Sequence, residues 1–161
     1  SEAFILGKKF IGKDNVSLVL GDNIFYDNDK LPKLLDEAII NLKNNLCTIY
    51  GKKVKNPSEF GIAYFDKKNK LIDIIEKPKK ILSNIAVVGL YFFTNDVVKK
   101  VNLIEPSKRG ELEITSLIKI YIDDGKVILK NIKNIFWADC GTFDSLLRSS
   151  LKIKELINKK Y

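Results

Sequence analysis

The first fifty residues alternate between helix and strand patterns, and this order restricts the chain to few folds. Residues 2–11 predict a helix that ends at Gly12, a residue type favoured just after helix C-termini. The apolar run Val16–Leu20 suits a buried parallel strand, and Leu46–Tyr50 suits a second strand. Between them lies a predicted helix with Asp29 as its N-cap. The order helix, strand, helix, strand is typical of a parallel α/β sheet.

The rest of the chain predicts antiparallel additions to that sheet. Phe60–Phe65 and Leu71–Ile75 are strand-like and flank the polar stretch DKKNK, which predicts a hairpin. The other predicted elements are a strand over Asn84–Thr94, a helix near Asn95–Val101, a helix over Glu111–Asp124, strands over Val127–Lys130 and Asn134–Ala138, and a helix capped by Thr142 that runs to about Asn158. We see no linker and no internal repeat, so residues 1–161 are expected to form a single α/β domain.

Composition excludes several functional classes. The chain has no histidine, which rules out histidine acid–base chemistry and histidine-liganded zinc. Cys47 and Cys140 do not have the spacing of a metal site and are expected to be reduced thiols of a cytoplasmic protein. No signal peptide is visible at the start. The longest apolar run, Ile85–Phe93, is far shorter than the roughly 18 residues of a membrane span, so no membrane partner is predicted.

The chain is basic, but its charge pattern does not favour nucleic acid binding. It has 28 Lys and Arg residues against 20 Asp and Glu residues, a formal net charge of +8. Only Arg109 and Arg148 are arginines, although arginine is the residue suited to bidentate recognition of bases and phosphates. The lysines are spread along the chain, which indicates a solvated surface. We therefore predict no nucleic acid partner.

Two acidic residues follow predicted strands. Asp22 lies in the sequence GDN directly after the first strand, and Asp139 lies in WADCGT before the last helix. Ligands of open α/β sheets bind beyond the carboxyl ends of strands, and Mg²⁺ prefers one or two carboxylates together with phosphate oxygens. The two aspartates are thus candidates for a shared Mg²⁺ site. The alternative is that each is a turn residue that accepts hydrogen bonds from its own backbone.

Two further segments carry candidate binding residues. Glu76 and Lys77 end a predicted strand in IIEKPKK, where the lysine suits a phosphate and the glutamate suits sugar hydroxyls. Arg109 stands before a predicted helix, where an anion would be favoured. The alternatives are a strand end with solvated charges in the first segment and, in the second, Glu111 and Glu113 that complement the helix dipole.

Taken together, these segments resemble the glucose-1-phosphate thymidylyltransferase family, and the resemblance covers nearly the whole chain. The matching segments, in order, are LVLGDNIFY (18–26), EFGIAYFD (59–66), IEKPKK (75–80), SNIAVVGLYFF (83–93), SKRGELEIT (107–115) and WADCGT (137–142). The resemblance implies a Rossmann-like nucleotide-diphospho-sugar transferase fold. This fold has a mixed, mainly parallel sheet flanked by helices, and here it would be truncated at the N-terminus.

The resemblance also assigns roles residue by residue. The positions that match the family's two Mg²⁺ ligands are Asp22 and Asp139. The positions that match residues holding the sugar phosphate or the sugar-nucleotide are Asn23, Gly61, Glu76, Lys77 and Val87. Lys77 and Arg109 match basic residues that face the sugar phosphate, and Tyr91 and Trp137 lie at pocket positions of the family. The four residues expected to carry the chemistry are Asp22, Lys77, Arg109 and Asp139.

The implied reaction is a Mg²⁺-dependent transfer of a thymidylyl group from dTTP to glucose 1-phosphate, which yields dTDP-glucose and pyrophosphate for dTDP-sugar biosynthesis. Two alternatives remain open: a non-catalytic sugar-phosphate-binding or regulatory module, and a sister enzyme that uses UTP or CTP. The family tends to form homo-oligomers. Its glycine-rich nucleotide loop and C-terminal extension have no counterpart in this sequence, so the chain alone is expected to be inactive. Cys140, beside Asp139, is the departure that bears most directly on the metal site.

Overall fold

The computed structural model describes residues 1–159, which form six α-helices, two short 3-10 helices (Pro57–Glu59 and Val101–Leu103) and eight strands. The helices are α1 (Glu2–Leu6), α2 (Lys8–Ile11), α3 (Lys30–Lys43), α4 (Val97–Lys100), α5 (Ile114–Asp123) and α6 (Phe143–Asn158). The strands are β1 (Val16–Val19), β2 (Asn23–Tyr26), β3 (Cys47–Lys53), β4 (Gly61–Phe65), β5 (Leu71–Glu76), β6 (Ile85–Phe93), β7 (Val127–Asn131) and β8 (Phe136–Asp139). The predicted α/β class is thereby confirmed.

The central sheet is mixed and is organised around β6. Its main path runs β5-β4-β6-β3-β7, and β1 pairs with β6 beyond the end of β4. Strands β3 and β7 are parallel, whereas the other pairs in the described residues are antiparallel. A second, two-stranded sheet joins β2 to β8. The predicted hairpin is confirmed as the antiparallel pair β4–β5.

Strand β1 differs from its prediction as a buried parallel strand. It runs antiparallel to β6, and its side chains alternate between half-buried and exposed, with Val19 53% exposed. An apolar run does not encode the direction of its partner, and alternation is the usual pattern of an antiparallel strand with one solvated face. Within residues 1–159, β1 pairs only with β6, so its other edge has no partner strand there.

The core lies on both faces of β6, whose side chains alternate between them as a strand period of two requires. Val87, Tyr91 and Phe93 pack with α1 and α5 on one face, where Phe4 and Tyr121 are fully buried. On the other face, the main buried partners are Ala38, Tyr50, Val88, Leu90, Phe92, Ile132 and Ile135. Helices on both sides thus hold the sheet in a three-layer arrangement. In residues 1–159 no helix is both long and apolar enough to cross a membrane.

Three helix ends refine the sequence predictions. The predicted helix over residues 2–11 is interrupted at Gly7, whose poor helix propensity favours the break between α1 and α2. At α3 the N–H groups of Asp29 and Lys30 donate to Asp27 Oδ1, so Asp27, not the predicted Asp29, supplies the capping carboxylate. Thr142 caps α6 as predicted, in a reciprocal pair with Ser145.

Lys52 fixes the turn that leads from β7 into β8. Its ammonium donates to the carbonyl oxygens of Ile132 (3.1 Å), Lys133 (3.0 Å) and Ile135 (2.7 Å). Burial of the ammonium lowers the pKa of Lys52. Because β8 carries Asp139, this lysine helps to set the position of one predicted site residue.

A partly buried polar cluster supports the other end of β6. The Asp96 carboxylate accepts hydrogen bonds from the Thr94 and Tyr121 hydroxyls and pairs with Lys100 at 3.0 Å. Lys100 also pairs with Asp124 at 2.6 Å and lies 3.8 Å from the centroid of the Tyr121 ring. Burial alone would raise the pKa of Asp96, but the hydrogen bonds outweigh it and hold that pKa below its ordinary value.

We expect the Asp96 carboxylate to make the protein acid-sensitive. Because its folded-state pKa is depressed, its stabilisation is complete above the unfolded aspartate pKa of about 3.9 and is lost as pH falls through the folded value. Asp96→Asn should lower stability at neutral pH by roughly 1.5–3 kcal/mol and flatten the fall in stability below about pH 4. Urea unfolding from pH 3 to 7 measures this, with exposed Asp36→Asn as control. A variant curve parallel to the wild-type curve would contradict the role.

Candidate functional site

One cleft of about 430 Å³ gathers every site residue predicted from the sequence. It lies where β6, the end of β5, the β1–β2 turn, β8 and the segment before α5 meet. The ten predicted positions that line it are Asp22, Asn23, Gly61, Glu76, Lys77, Val87, Tyr91, Arg109, Trp137 and Asp139. The structure thus shows their proximity, and their chemical roles stay predictions.

The two aspartates meet although 116 residues lie between them in the sequence. Asn23 pairs with Asp139 in the β2–β8 ladder, and the Cys140 N–H donates to the Asp22 carbonyl at 2.7 Å. The position that a Cβ atom would occupy at Gly141 gives a common reference point for the two carboxylates. This position lies 3.2 Å from Asp139 Oδ1 and 3.7 Å from Asp22 Oδ2. One oxygen of each carboxylate therefore lies within 4 Å of the same point beside Gly141, and both aspartates line the cleft.

The local geometry of Asp139 also fits the alternative of a turn residue. Its Oδ1 accepts a hydrogen bond from the Gly141 N–H at 3.0 Å, the pattern of an aspartate that stabilises the turn after it. Asp139 is exposed and lines the cleft. Cys140 is half-buried and is not part of the cleft lining, so its thiol does not enter the carboxylate pair.

Glu76 and Lys77 lie at the point where β5 ends. Gly61 pairs with Glu76 across the β4–β5 ladder, and the Lys77 N–H donates to the Phe60 carbonyl at 3.0 Å. Lys77 has a φ of 43°, a left-handed conformation that costs free energy for a residue with a side chain. Its ammonium makes no salt bridge within residues 1–159, so it is available to an anion.

Arg109 is surrounded by carboxylates. Its guanidinium lies 2.9 Å from Glu111, 3.5 Å from Glu113 and 3.8 Å from Glu76. The expectation that Arg109 stands directly before a helix is wrong, because residues 107–111 form a turn closed at Gly110 and α5 begins only at Ile114. The two glutamates therefore contact the arginine side chain as well as lying near the helix start.

Burial and neighbouring charge both act on Glu76. Desolvation raises the pKa of its carboxyl, the nearby Glu113 carboxylate raises it further, and the Lys77 and Arg109 charges lower it without cancelling the rise. Hydrogen bonds to a partly desolvated carboxyl are electrostatically stronger than hydrogen bonds to a fully solvated one. Such a group suits the neutral hydroxyls of a sugar.

The cleft is acidic on balance, although it holds the predicted lysine and arginine. The carboxylates that line it are Asp22, Glu59, Glu76, Glu111, Glu113 and Asp139. The cations that line it are Lys77 and Arg109. An anionic ligand would meet a net negative wall unless a cation accompanied it.

The donor set fits Mg²⁺ of the kind that binds together with phosphates. In residues 1–159 no group of three or more His, Cys, Asp or Glu side chains is arranged to enclose a metal ion. Mg²⁺ commonly uses one or two carboxylates and takes its remaining ligands from water and substrate phosphates. Asp22 and Asp139 supply that number of carboxylates, so their arrangement is compatible with the predicted ion.

Aromatic and apolar side chains form the floor of the cleft. Tyr91 is 3% exposed and Val87 is 8% exposed, so these two predicted positions belong mainly to the core and present only an edge to a ligand. The Phe60 and Trp137 rings meet edge to face with centroids 5.7 Å apart. Trp137 therefore both packs against Phe60 and borders the cleft.

Sequence reasoning missed part of the lining. The additional residues are Leu20, Glu59, Phe60, Gly89, Glu111, Glu113, Ile114 and Thr115. Gly89 had a signal, because a glycine inside the apolar run of β6 indicates close approach of another segment. A Cβ there would lie 2.7 Å from the Asn23 side chain and 2.8 Å from Leu20.

Comparison with known proteins places this geometry in a family. The nucleotidyl transferase family model matches residues 1–155. The chain is 39% identical over 159 residues to a glucose-1-phosphate thymidylyltransferase of Neisseria meningitidis, an alignment that covers 98% of this chain and 54% of that protein. The chain thus spans about half the length of the curated relatives it matches.

Solved structures agree with this assignment. A crystal structure described as a candidate glucose-1-phosphate thymidylyltransferase from Bacillus anthracis, in complex with sucrose, has a TM-score of 0.76 and 35% identity and covers 91% of this chain and 57% of its own. A UDP-glucose pyrophosphorylase complexed with UDP-glucose has a TM-score of 0.81 at 22% identity, covers 95% and 61% of the two chains, and supports the fold alone. The chain therefore belongs to the nucleotidyl transferase family.

Proposed function

We propose that the full-length protein containing this chain transfers a thymidylyl group from dTTP to glucose 1-phosphate. The observation that carries the proposal is the meeting of the Asp22 and Asp139 carboxylates at the mouth of a cleft that also holds Lys77 and Arg109. Two acidic groups for a divalent cation, opposite two basic groups for a phosphate, are what a phosphoryl-type transfer without a protein nucleophile needs.

In the proposed reaction a phosphate oxygen of glucose 1-phosphate bonds to the α-phosphorus of dTTP, the bond from that phosphorus to the bridging oxygen breaks, and pyrophosphate leaves. Lys77 and Arg109 hold the sugar phosphate, and Arg109 exchanges its carboxylate partners for phosphate oxygens in doing so. Asp22 and Asp139 would hold Mg²⁺, which neutralises phosphate charge when bound. No histidine is required, in agreement with its absence from the sequence.

The remaining lining residues suit the sugar. Glu76, with its raised pKa, is placed to exchange hydrogen bonds with hydroxyls, and Gly61 leaves room beside it. The apolar edge formed by Val87, Tyr91 and Phe60 suits the less polar face of a sugar ring. A cytoplasmic location and a homo-oligomeric full-length protein remain part of the proposal.

The proposal is tested by measuring pyrophosphate release from the full-length protein with a matrix of substrates. We expect turnover with dTTP and glucose 1-phosphate in the presence of Mg²⁺, and none when a chelator is added. Higher turnover with UTP or CTP would assign a sister activity. Binding of glucose 1-phosphate with no turnover of any triphosphate would indicate the non-catalytic module.

Two variants sharpen this test. Lys77→Ala should weaken binding of glucose 1-phosphate much more than binding of dTTP, because its ammonium is free for the sugar phosphate. Lys79→Ala, at an exposed lysine two residues further along the chain, is the matched control. Equal losses for the two substrates would contradict the assignment of Lys77. The 161-residue chain alone is expected to release no pyrophosphate, because its sequence contains no glycine-rich triphosphate loop.

A further inference from the structure

The Asn23 side chain is held by three hydrogen bonds. Its Oδ1 accepts from the Trp137 indole N–H at 2.7 Å and from the Gly89 backbone N–H at 3.0 Å. Its Nδ2 donates to Asp22 Oδ1 at 2.9 Å. Turning the amide over would set its NH₂ group against two donors, so this network permits only one orientation of the carboxamide.

This orientation decides which Asp22 oxygen is free. Oδ1 is bonded to Asn23, whereas Oδ2 is the oxygen that lies 3.7 Å from the Cβ position of Gly141. Asp139 Oδ1 lies 3.2 Å from the same position. The amide of Asn23 therefore turns Asp22 Oδ2 toward the side of the cleft mouth where Asp139 stands.

The anchors of Asn23 belong to two different sheets. Gly89 lies in the middle of β6, and Trp137 lies in β8 of the two-stranded sheet. Any side chain at Gly89 would collide with Asn23, since a Cβ there would be 2.7 Å from Asn23 Cγ. Asn23 thus connects the central sheet, the small sheet and the acidic end of the cleft.

We propose that Asn23 is a positioning residue, which orients the Asp22 carboxylate toward a divalent cation shared with Asp139. This proposal rests on the proposed function and deepens it. The resemblance implied a direct contact between Asn23 and the sugar, and the positioning role differs from that. The carboxamide oxygen already accepts two hydrogen bonds within the protein, which leaves it engaged away from a ligand. Partners that orient carboxylate ligands generally change metal affinity by about 10–100-fold when they are removed.

The test measures the affinity of the full-length protein for Mn²⁺ alone by electron paramagnetic resonance of the free ion. Asn23→Ala should raise the dissociation constant about tenfold or more. Trp137→Phe removes the indole N–H that fixes the carboxamide, together with part of the ring, and keeps an aromatic side chain beside Phe60. It should weaken Mn²⁺ binding in the same direction by less. Asn28→Ala, at an exposed asparagine that follows β2, should leave the affinity unchanged.

A second readout is the indole N–H resonance of Trp137, the sole tryptophan. In ¹⁵N-labelled Asn23→Ala this resonance should shift, and its proton should exchange faster with solvent, because its acceptor is gone. A shifted resonance combined with wild-type Mn²⁺ affinity would overturn the proposal and leave the proposed function standing. Absence of Mn²⁺ binding by the wild-type protein would overturn the positioning proposal as well, whereas the proposed function is decided separately by the pyrophosphate-release test. If Asn23→Ala does not fold, wild-type affinity in Trp137→Phe overturns the positioning role.

Discussion

Asp139→Asn in the full-length protein is expected to lower Mg²⁺-dependent turnover by roughly 100- to 1,000-fold, because electrostatic stabilisation of this kind contributes several kcal/mol to the transition state. The fold should survive. The carboxamide that replaces the Asp139 carboxylate keeps an oxygen to accept the Gly141 N–H, the hydrogen bond that stabilises the turn before α6. The variant thus loses the negative charge near Asp22 and keeps the shape of the side chain. Steady-state pyrophosphate release, with Mg²⁺ varied at saturating substrates, is the measurement.

The matched control is Asp144→Asn, five residues along the chain. Asp144 is an exposed acid in the first turn of α6 and is not part of the cleft lining, so its replacement should leave turnover within about twofold of wild type, the range of a typical surface substitution. Equal losses in the two variants would point to a general charge effect. Wild-type turnover in Asp139→Asn would remove this residue from the cation site, and the turn interpretation of Asp139 would then suffice.

The spacing of apolar residues, together with the capping and turn residues at the ends of helices and strands, was enough to predict most elements of the fold. These signals act locally. Thr142 caps α6, the DKKNK turn joins the two strands of a hairpin, and the apolar run of β6 is buried on both faces. The direction of β1 was not predictable in this way, because it depends on β6, more than sixty residues later in the chain. Likewise, the cap of α3 comes from Asp27, since its carboxylate reaches two backbone N–H groups, although Asp29 stands at the N-cap position.

The site shows the same division between local and non-local information. Each motif could be placed at the end of a strand from its own residues, and the resemblance predicted that the motifs would converge. Glu111 and Glu113 already adjoin Arg109 in the sequence, but only the tertiary structure brings Glu59 and Glu76 to the same cleft, so its charge balance could not be predicted. The hydrogen bonds of Asn23 also join three separate segments, so its saturated carboxamide is visible only in the folded chain.

The acidic lining has a functional consequence that links these observations. The lining carries six carboxylates against two cations, so its net negative charge would repel the phosphates of both proposed substrates. One of these carboxyls, Glu76, has its pKa raised by burial and by Glu113. A bound divalent cation removes part of that repulsion when the phosphates arrive. Sugar-phosphate affinity should therefore depend more strongly on Mg²⁺ than the presence of Lys77 and Arg109 alone would suggest.

Gly61→Ala is expected to destabilise the protein and to disturb the sugar side of the cleft. A Cβ at Gly61 would lie 2.7 Å from Thr115 Cγ2 and 3.1 Å from Glu76 Oε2. Thr115 is 4% exposed and has no room to retreat, so the extra methyl should cost about 1–3 kcal/mol as overpacking does. Displacement of Glu76 should also raise the KM for glucose 1-phosphate. Urea unfolding and substrate titration of the full-length protein measure the two effects.

Two further variants separate the local clash from a general effect of inserting alanine into a strand. Thr115→Ser removes the Cγ2 atom that the new methyl would strike, so Gly61→Ala with Thr115→Ser should recover much of the lost stability and substrate affinity. Gly51→Ala makes an equally close contact, 2.7 Å from Ile85 Cγ2, but lies outside the cleft. It should lower stability without changing the KM for glucose 1-phosphate. If Thr115→Ser gives no recovery, the contact between β4 and α5 is not the reason for glycine at position 61.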